Sequence, residues 1–372
     1  MAIDKVTPAA LETSTNQPNF RNIIINGDMS LAQRATSVTS ISSGNTIHTC
    51  DRWKTYASSA GTWTQTQEAL TTGDPYTNGF ATSLKLDCTT ANGSLSSGSY
   101  LIVAQSIEAQ NLQYIKKGTS NAEQLTASFW VKSTKTGTNI VQFVSLDDTV
   151  RICAKSYTIS SSDTWEKKTI TIPADTSSTG NISNDNGEGL RMIFWVVAGT
   201  DYTSGALATT WADSANANRA VGQVNNADST SNNFEITGVQ LEVGTAASDF
   251  EFLPHDVNLQ RCQRYYMRWQ GDTSDQRAVA NGMCVANNQI RVVVISPVTL
   301  RSFPTVTESD LESLDSAKAT ENVSLNATVD PGVQAVNLQL DADSGTPFTQ
   351  HRPTSLRVRN LAASFLAFDA EL

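Results

Sequence analysis

The sequence predicts an all-β chain: an N-terminal arm, a jelly-roll β-sandwich, a short helix and a second, smaller β-sandwich domain. Charged residues make up only 17% of the 372 residues, below the usual quarter, and Ser, Thr, Asn and Gln take their place. Short apolar or alternating segments recur between turn-rich stretches, which is typical of sandwiches and jelly rolls. A single stretch longer than two turns has helical spacing.

The first segment, residues 1–20, is polar and punctuated by Pro, and it is predicted to be a flexible arm. It lacks the apolar core of a signal peptide, and no run in the chain approaches the length of a membrane span. Residues 23–25 are three isoleucines, which are β-branched and favour a buried strand. Residues 26–28, Asn-Gly-Asp, supply the geometry of a tight turn, so a first hairpin is predicted here.

The jelly-roll domain is predicted over residues 21–254, where several segments alternate with period two. The continuous apolar run MIFWVV, residues 192–197, predicts a central strand buried on both faces. Two long loops, residues 71–81 and 199–233, interrupt the strands, and loops of this length are usually functional or mobile. The predicted strands are GTWTQTQEAL, TSLKLDC, QLTASFWVKST, NIVQFVSL, RICAKSYTIS, TWEKKTITIP, GLRMIFWVVAG and FEITGVQLEVG.

A connecting helix is predicted over residues 255–269, HDVNLQRCQRYYMRW, where apolar and aromatic side chains fall at helical spacing. Residues 270–372 are predicted to form the second β-domain, with strands in NNQIRVVVISPVTL and AVNLQLDA. The chain closes with the apolar run SFLAFDAEL. Such a run left in solvent would pair with other chains, so it is predicted to lie in the sheet of this domain.

Composition and motifs exclude several classes of function. The net charge of -10 and the pI near 4.8 argue against nucleic-acid binding and against anionic membranes. The sequence has no nucleophile elbow, phosphate loop, dinucleotide fingerprint or zinc motif, and its three histidines lie far apart. No catalytic or metal-ligating residue is therefore predicted. The five scattered cysteines are predicted to be reduced and buried.

The order of several motifs resembles known families. NIIINGDMS, CDRW, ASFWVKS, TWEKKTITIP, RMIFWVV and FEITGVQLEVG, in this order, resemble the carbohydrate-binding-module type of galactose-binding-like jelly roll. With CQRYY, SPVTLRSFPTVT and the terminal FDAEL, the order resembles a bacteriophage tail-fibre or virion-surface protein family over residues 21–372. Many carbohydrate-binding modules carry acidic residues that residues 26–30 and 236–239 lack, which argues against their structural calcium. No cofactor is expected.

The resemblance implies a virion structural protein, a tail-fibre or fibre-tip subunit that adheres to host surface glycans without catalysis. It also implies a homotrimer, attachment to other virion proteins through the arm, and synthesis in the host cytoplasm before assembly at the tail or capsid surface. The alternative is a capsid decoration protein, head fibre or tail adaptor with a purely structural role, because no coiled-coil shaft accompanies the short arm. A glycan depolymerase has only fold kinship in its favour.

Aromatic residues in the two long polar loops are the predicted glycan contacts, because sugar rings stack on such side chains and exposed aromatic surface usually has a partner. The alternative is that each aromatic ring pins its own loop. The predicted glycan contacts are Tyr76, Phe80, Tyr202 and Trp211. The tryptophans in strand-like segments, predicted instead to be core, are Trp53, Trp130, Trp165 and Trp195.

Overall fold

The computed structural model describes residues 20–274, 277–315 and 320–372. Strands account for 47% of the chain and helices for 8%, which confirms the all-β prediction. The chain divides into two compact units, Met1–Pro254 with Leu372, and His255–Glu371. The predicted docking arm, residues 1–20, lies outside the described residues except for Phe20.

The described residues of the first unit form eleven strands and a few short helices. The strands are β1 (Ser37–Thr46), β2 (Lys54–Ala69), β3 (Thr82–Thr90), β4 (Tyr100–Glu108), β5 (Leu125–Lys132), β6 (Gly137–Ser145), β7 (Arg151–Ile159), β8 (Glu166–Ile172), β9 (Glu188–Ala198), β10 (Ala212–Asp213) and β11 (Asn233–Val243). The helices are α1 (Gly73–Thr77), α2 (Thr200–Thr203) and two 3-10 turns, Ala109–Ile115 and Asn216–Asn218.

One long strand, β2, joins the two halves of the sheet. The order is β10-β7-β6-β9-β4-β2-β3-β11-β5-β8, with β1 paired to β2. Residues 54–58 of β2 pair with β4, whereas residues 62–69 pair with β3. Between these two parts the backbone takes positive φ angles of 49° at Ser59 and 79° at Gly61. The two halves enclose one hydrophobic core, to which both contribute aromatic side chains such as Phe129 and Phe194, as in a β-sandwich.

All eight strand segments predicted in the first unit are strands in the structure. The apolar run at residues 192–197 lies in β9, which has β6 on one side and β4 on the other. Its side chains are buried on both faces, from Met192 to Val197. The reason is that one face of β9 contributes to the sandwich core and the other to a separate apolar cluster around Trp195.

The hairpin predicted at the start of the domain is wrong. Residues 21–31 form bends and turns, not a strand. The backbone of this segment is held largely by side chains: the Ile24 amide donates to Asn22 Oδ1 at 3.0 Å and the Ile25 amide to Gln105 Oε1 at 2.7 Å. The isoleucines are still buried, as their β-branched character indicated. Burial thus follows from the sequence here, but ladder pairing does not.

The beginning and the end of the first unit are hydrogen-bonded to each other. The guanidinium of Arg21 donates to the carbonyl oxygen of Asp249 at 2.7 Å. The amide of Asn22 donates to the Glu251 carboxylate at 2.9 Å. Gly27 approaches strand β11 so closely that a Cβ atom would lie 2.0 Å from the Val239 carbonyl oxygen. A larger residue at Gly27 would therefore separate these two segments.

The second unit contains one helix and nine strands among its described residues. They are α3 (His255–Gln263), β12 (Tyr266–Gln270), β13 (Arg277–Ala286), β14 (Gln289–Ile295), β15 (Thr305–Ser309), β16 (Leu311–Asp315), β17 (Glu321–Asp330), β18 (Ala335–Ala342), β19 (Pro353–Val358) and β20 (Phe365–Asp369). Six strands close into a barrel in the order β13-β14-β18-β17-β16-β19. The other three form a sheet in the order β12-β20-β15. The unit is all-β as predicted, with a barrel closure that the sequence did not indicate.

The connecting helix predicted over residues 255–269 is wrong in its second half. Helix α3 ends at Gln263, and residues 266–270 form strand β12, which pairs with β20 from Tyr266 to Gln270. The aromatic residues of this segment favour a strand as much as a helix. Pairing with the last strand of the chain decides the outcome, which a local pattern cannot reveal.

In the described residues, no helix is long and apolar enough to cross a membrane.

Candidate functional site

The four aromatic residues predicted as glycan contacts occupy very different environments. Tyr76 lies on α1 and is 50% exposed. Phe80 is only 3% exposed, and its ring lies 4.9 Å from the rings of both Phe250 and Phe252. The prediction that Phe80 contacts a ligand is therefore wrong. The Phe80 ring instead packs against these two phenylalanines, which lie in the segment after β11.

Tyr202 and Trp211, in the second long loop, are both partly buried. The Tyr202 ring packs 5.2 Å from Trp195 and 5.8 Å from Tyr100. Trp211 donates its Nε1 hydrogen to the carbonyl oxygen of Pro173 at 2.9 Å, and Lys117 Nζ lies 4.4 Å from the centre of its ring. Both rings thus hold their loop against the sheet, which is the alternative that the sequence left open.

The tryptophans predicted as core divide into two pairs. Trp53 and Trp195 are buried, as predicted. Trp130 and Trp165 are only partly buried, so the prediction is wrong for these two. Trp165 comes directly after the polar turn formed by residues 160–164 and immediately before β8. This position at a strand end, rather than in a strand, is the signal that could have indicated a surface role.

Trp165 borders a cavity of about 440 Å³ on the first unit. The cavity lies where β2 runs into α1, beside the ends of β5 and β11 and the turn before β8. Its charged and aromatic lining residues are Glu68, Asp74, Lys132, Asp163, Trp165 and Glu235. These six residues are here named the Trp165 cleft. Of the four loop aromatics predicted from sequence, none lines it, although Tyr76 stands on the helix that supplies Asp74.

The turn that carries Asp163 and Trp165 is fixed by hydrogen bonds at both ends. One oxygen of the Glu166 carboxylate accepts the amides of Ser160 and Ser161 at 2.7 and 2.9 Å. Burial alone would raise the pKa of Glu166, but hydrogen bonds from Lys168 and these two amides hold the pKa below its usual value. The Asp163 amide donates to the Ser133 carbonyl oxygen at 2.9 Å. The turn is thereby tied to the end of β5.

Gly73 forms the opposite wall of the cleft. Its φ angle is +88°, a region that favours Gly. A Cβ atom at this position would lie 3.1 Å from Cδ1 of Trp165. The glycine therefore lets the start of α1 approach the indole closely. One edge of the ring packs against the backbone at Gly73 while the side chain remains partly open to solvent.

Lys132 connects the indole to the carboxylates of the cleft. Its Nζ atom lies 5.2 Å from the Trp165 ring centre and 2.9 Å from the Glu235 carboxylate. Glu235 has a side chain only 1% exposed, and its other oxygen accepts the Ser83 hydroxyl at 2.6 Å. Asp163, at 3.8 Å from Lys132 Nζ, is 66% exposed. Lys132 and Glu235 thus form a largely buried ion pair at the base of the cleft.

The cleft combines a partly exposed aromatic ring with a largely buried Lys132–Glu235 ion pair and exposed carboxylates. An indole offers an apolar face for stacking. Carboxylates accept hydrogen bonds, and an ammonium donates them. Pockets that recognise small ligands commonly join such an apolar wall to a few polar groups that set orientation. The arrangement suits a ligand with an apolar face and hydroxyl groups around its rim.

Metal binding has no support among the residues that the structure describes, where no group of three or more His, Cys, Asp or Glu side chains is placed to hold an ion.

No family model and no curated protein matches this chain. Among solved structures, the enzymatically active domain of tailspike protein 4 from bacteriophage CBA120 aligns at 12% identity with a TM-score of 0.29. That alignment covers 60% of this chain and 21% of the tailspike chain. The chain thus matches only about a fifth of the tailspike's length.

Two carbohydrate-binding modules align over most of their own length. The family 11 module of a cellulosomal cellulase from Clostridium thermocellum has 11% identity and a TM-score of 0.26, over 56% of this chain and 98% of the module. The CBM22-1 xylan-binding domain of Xyn10C from Paenibacillus barcinonensis has 12% identity and a TM-score of 0.25, over 56% and 95%. At these levels the similarities establish neither a family nor an activity for this chain.

Proposed function

We propose that this chain is a bacteriophage virion protein, a tail-fibre or fibre-tip subunit, that adheres to host surface glycans through the Trp165 cleft without catalysis. The observation that carries the proposal is the partly buried indole of Trp165 beside carboxylates and an ammonium group. Sugar rings present C–H faces that stack on an indole and hydroxyl groups that bond to the surrounding charges. The motif order described for residues 21–372 supports the placement in a virion.

The test of adhesion is binding of the full chain to a glycan array and to host cells, with Trp165→Ala as the decisive variant. Loss of the stacking surface is expected to weaken binding at least about tenfold, equivalent to about 1.4 kcal/mol. Phe303→Ala is the matched control, because Phe303 is 66% exposed and belongs to the second unit. Equal glycan binding by both variants and the parent would contradict the proposal.

Tyr76 remains a second candidate contact. It is half exposed and lies on the same short helix as Asp74 of the cleft. Tyr76→Ala is expected to weaken glycan binding less than Trp165→Ala does, because the Tyr76 ring does not line the cavity. Unfolding curves that match the parent would show that any loss reflects contact rather than folding.

The proposal includes absence of catalysis, a homotrimer and attachment of the arm to other virion proteins. Incubation with a polysaccharide that the chain binds should release no new reducing ends.

Exposed apolar side chains on the second unit support self-association: Val293 is 50% and Ile295 74% exposed on one face of β14. The alternative is a decoration or adaptor protein with a purely structural role. Such a protein would assemble into virions but would bind no glycan. Labelling the subunit on purified particles would separate tail from capsid placement.

A further inference from the structure

The Trp165 cleft carries an excess of negative charge. Four of its lining side chains are carboxylates, those of Glu68, Asp74, Asp163 and Glu235, and one is the ammonium of Lys132. The Lys132 ammonium already forms an ion pair with the buried Glu235 carboxylate, at 2.9 Å from Nζ. The three remaining carboxylates belong to exposed residues around the rim. The rim therefore presents acceptors without a free cation among the lining residues.

We propose that this charge makes the cleft select against acidic sugars and prefer sugars that carry an ammonium group, with neutral sugars between them. The inference rests on the proposed glycan binding and names the class of glycan. Carboxylates at neutral pH only accept hydrogen bonds. Hydroxyl and ammonium groups can donate to them, whereas an incoming carboxylate or sulfate cannot. The acidic group of such a sugar would face the rim carboxylates, where it could neither donate a hydrogen bond nor escape repulsion between like charges.

The Trp165 indole also favours a ligand that carries an ammonium group. The face of an indole ring attracts cations, and Lys132 Nζ already uses this attraction at 5.2 Å from the Trp165 ring centre. A sugar ammonium stacked on the partly open side of the ring would gain from the indole and from the rim carboxylates together. Because the rim is exposed, salt screens the charge effect: the Debye length is about 8 Å at physiological ionic strength and about 3 Å at 1 M.

The test is calorimetric titration of the full chain with three oligosaccharide sets of matched length: chitosan oligomers, neutral cello-oligosaccharides and acidic oligogalacturonates, at a mildly acidic pH that keeps the chitosan amines protonated and the carboxylates ionised. Binding is expected to weaken in that order, with at least about a tenfold difference between the first and the last set, equivalent to about 1.4 kcal/mol. The difference should shrink at 1 M salt. Acidic oligomers that bind as tightly as the amine-bearing ones would overturn the inference and leave glycan binding itself intact.

A charge variant tests the assignment to this cleft. Glu68→Gln with Asp163→Asn removes two rim charges and is expected to narrow the difference between amine-bearing and acidic oligomers. The matched control, Asp148→Asn with Asp201→Asn, removes two exposed carboxylates that do not line the cleft. An equal narrowing in the control would overturn the assignment. If the folded protein bound none of the three oligosaccharide sets, both the proposed glycan binding and this inference would be wrong.

Discussion

Phe80 and Tyr76 lie in the same loop, yet the structure gives them opposite roles. Phe80 packs against both Phe250 and Phe252, whereas half of the Tyr76 side chain is open to solvent. We expect Phe80→Ala to lower the free energy of unfolding by about 3 to 5 kcal/mol, because it leaves a cavity in a packed cluster. Tyr76→Ala, the control, should change it by less than about 0.5 kcal/mol. Urea unfolding of both variants provides the measurement, and similar losses would contradict the assignment.

A buried carboxylate between two cations, Asp175, holds a strand to the neighbouring loops. Its Oδ2 atom accepts hydrogen bonds from Arg151 Nε at 2.9 Å and from Lys117 Nζ at 2.7 Å. Burial alone would raise the pKa of Asp175, but these bonds outweigh it and hold the pKa below its usual value. Burial lowers the pKa of Lys117, and this effect outweighs the hydrogen bond to Asp175, which raises the pKa.

Asp175→Asn should therefore destabilise the protein in a pH-dependent way. At pH 7 we expect a loss of about 3 to 5 kcal/mol, since the change leaves two cations without their buried carboxylate. A depressed folded-state pKa contributes stability above the unfolded pKa of about 3.9, and this contribution is lost as the pH falls further. The difference between variant and parent should thus shrink below about pH 4.

The control for this change is Asp213→Asn. Asp213 also accepts a hydrogen bond from Arg151, at 2.8 Å, but its side chain is 75% exposed. Exposed ion pairs contribute about 0 to 1 kcal/mol, so a small loss is expected. Chemical unfolding at several pH values measures both. A large Asp175→Asn effect that did not change between pH 7 and pH 3 would show that the carboxylate charge is not the cause.

The sequence predicted the environment of some single residues correctly and of others wrongly. Trp53 and Trp195 are core, as expected. Trp165 was expected in the core and is only partly buried, whereas Phe80 was expected on the surface and is buried. A strand-like pattern does not reveal where the strand begins, and a polar loop does not reveal what it packs on. Both depend on segments distant in sequence: Gly73 for Trp165, and the phenylalanines at 250 and 252 for Phe80.

Among the elements, β20 has the central place in the sheet of the second unit. It pairs with β12 on one side and β15 on the other, and Leu366 and Phe368 are completely buried. Deleting residues 363–372 is expected to give insoluble protein, because it removes the middle strand and leaves two edges unpaired. Deleting Leu372 alone is the control, as this residue lies beyond the strand. Soluble, normally folded protein after the longer deletion would contradict the assignment of β20.

The elements that the sequence predicted correctly share a regular pattern. The segments that became β3, β5 and β9 combine apolar or alternating runs with turn residues at their ends. The isoleucines at residues 23–25 and the segment after Gln263 also have regular patterns, but the structures that these patterns predicted did not form. In the first, side-chain amides replace ladder pairing. In the second, a strand from the far end of the chain supplies the partner. Neither partner is visible to a local pattern.

At the scale of the whole molecule, all five cysteines lie among the described residues, where they are buried and form no disulfide. Burial raises the pKa of Cys50 to about 12 and that of Cys153 to about 11. Since the thiolate is the reactive form, we expect the native chain to react negligibly with a disulfide reagent such as DTNB at pH 8. The chain in denaturant should titrate all five thiols. Rapid labelling of several thiols in the folded protein would show that the described core is open.

Self-association is the second prediction for the whole molecule. The proposed homotrimer should sediment at about three times the 40.0 kDa chain mass. Ile295→Lys, at a side chain 74% exposed in the structure, is expected to weaken the trimer without lowering the stability of the chain. Lys introduces a charge that an apolar contact excludes. A monomer at micromolar concentration in the parent would contradict the trimer.

The hydrogen bonds that join Arg21 and Asn22 to Asp249 and Glu251 have a consequence for engineering. A unit whose two ends meet can be grafted as a cassette, because it enters and leaves a host chain at nearly one point. A surface loop of a carrier protein would need little stretching to accept residues 21–254. Residues 91–95, largely exposed between β3 and β4, offer an opening for a circular permutant whose original ends are linked.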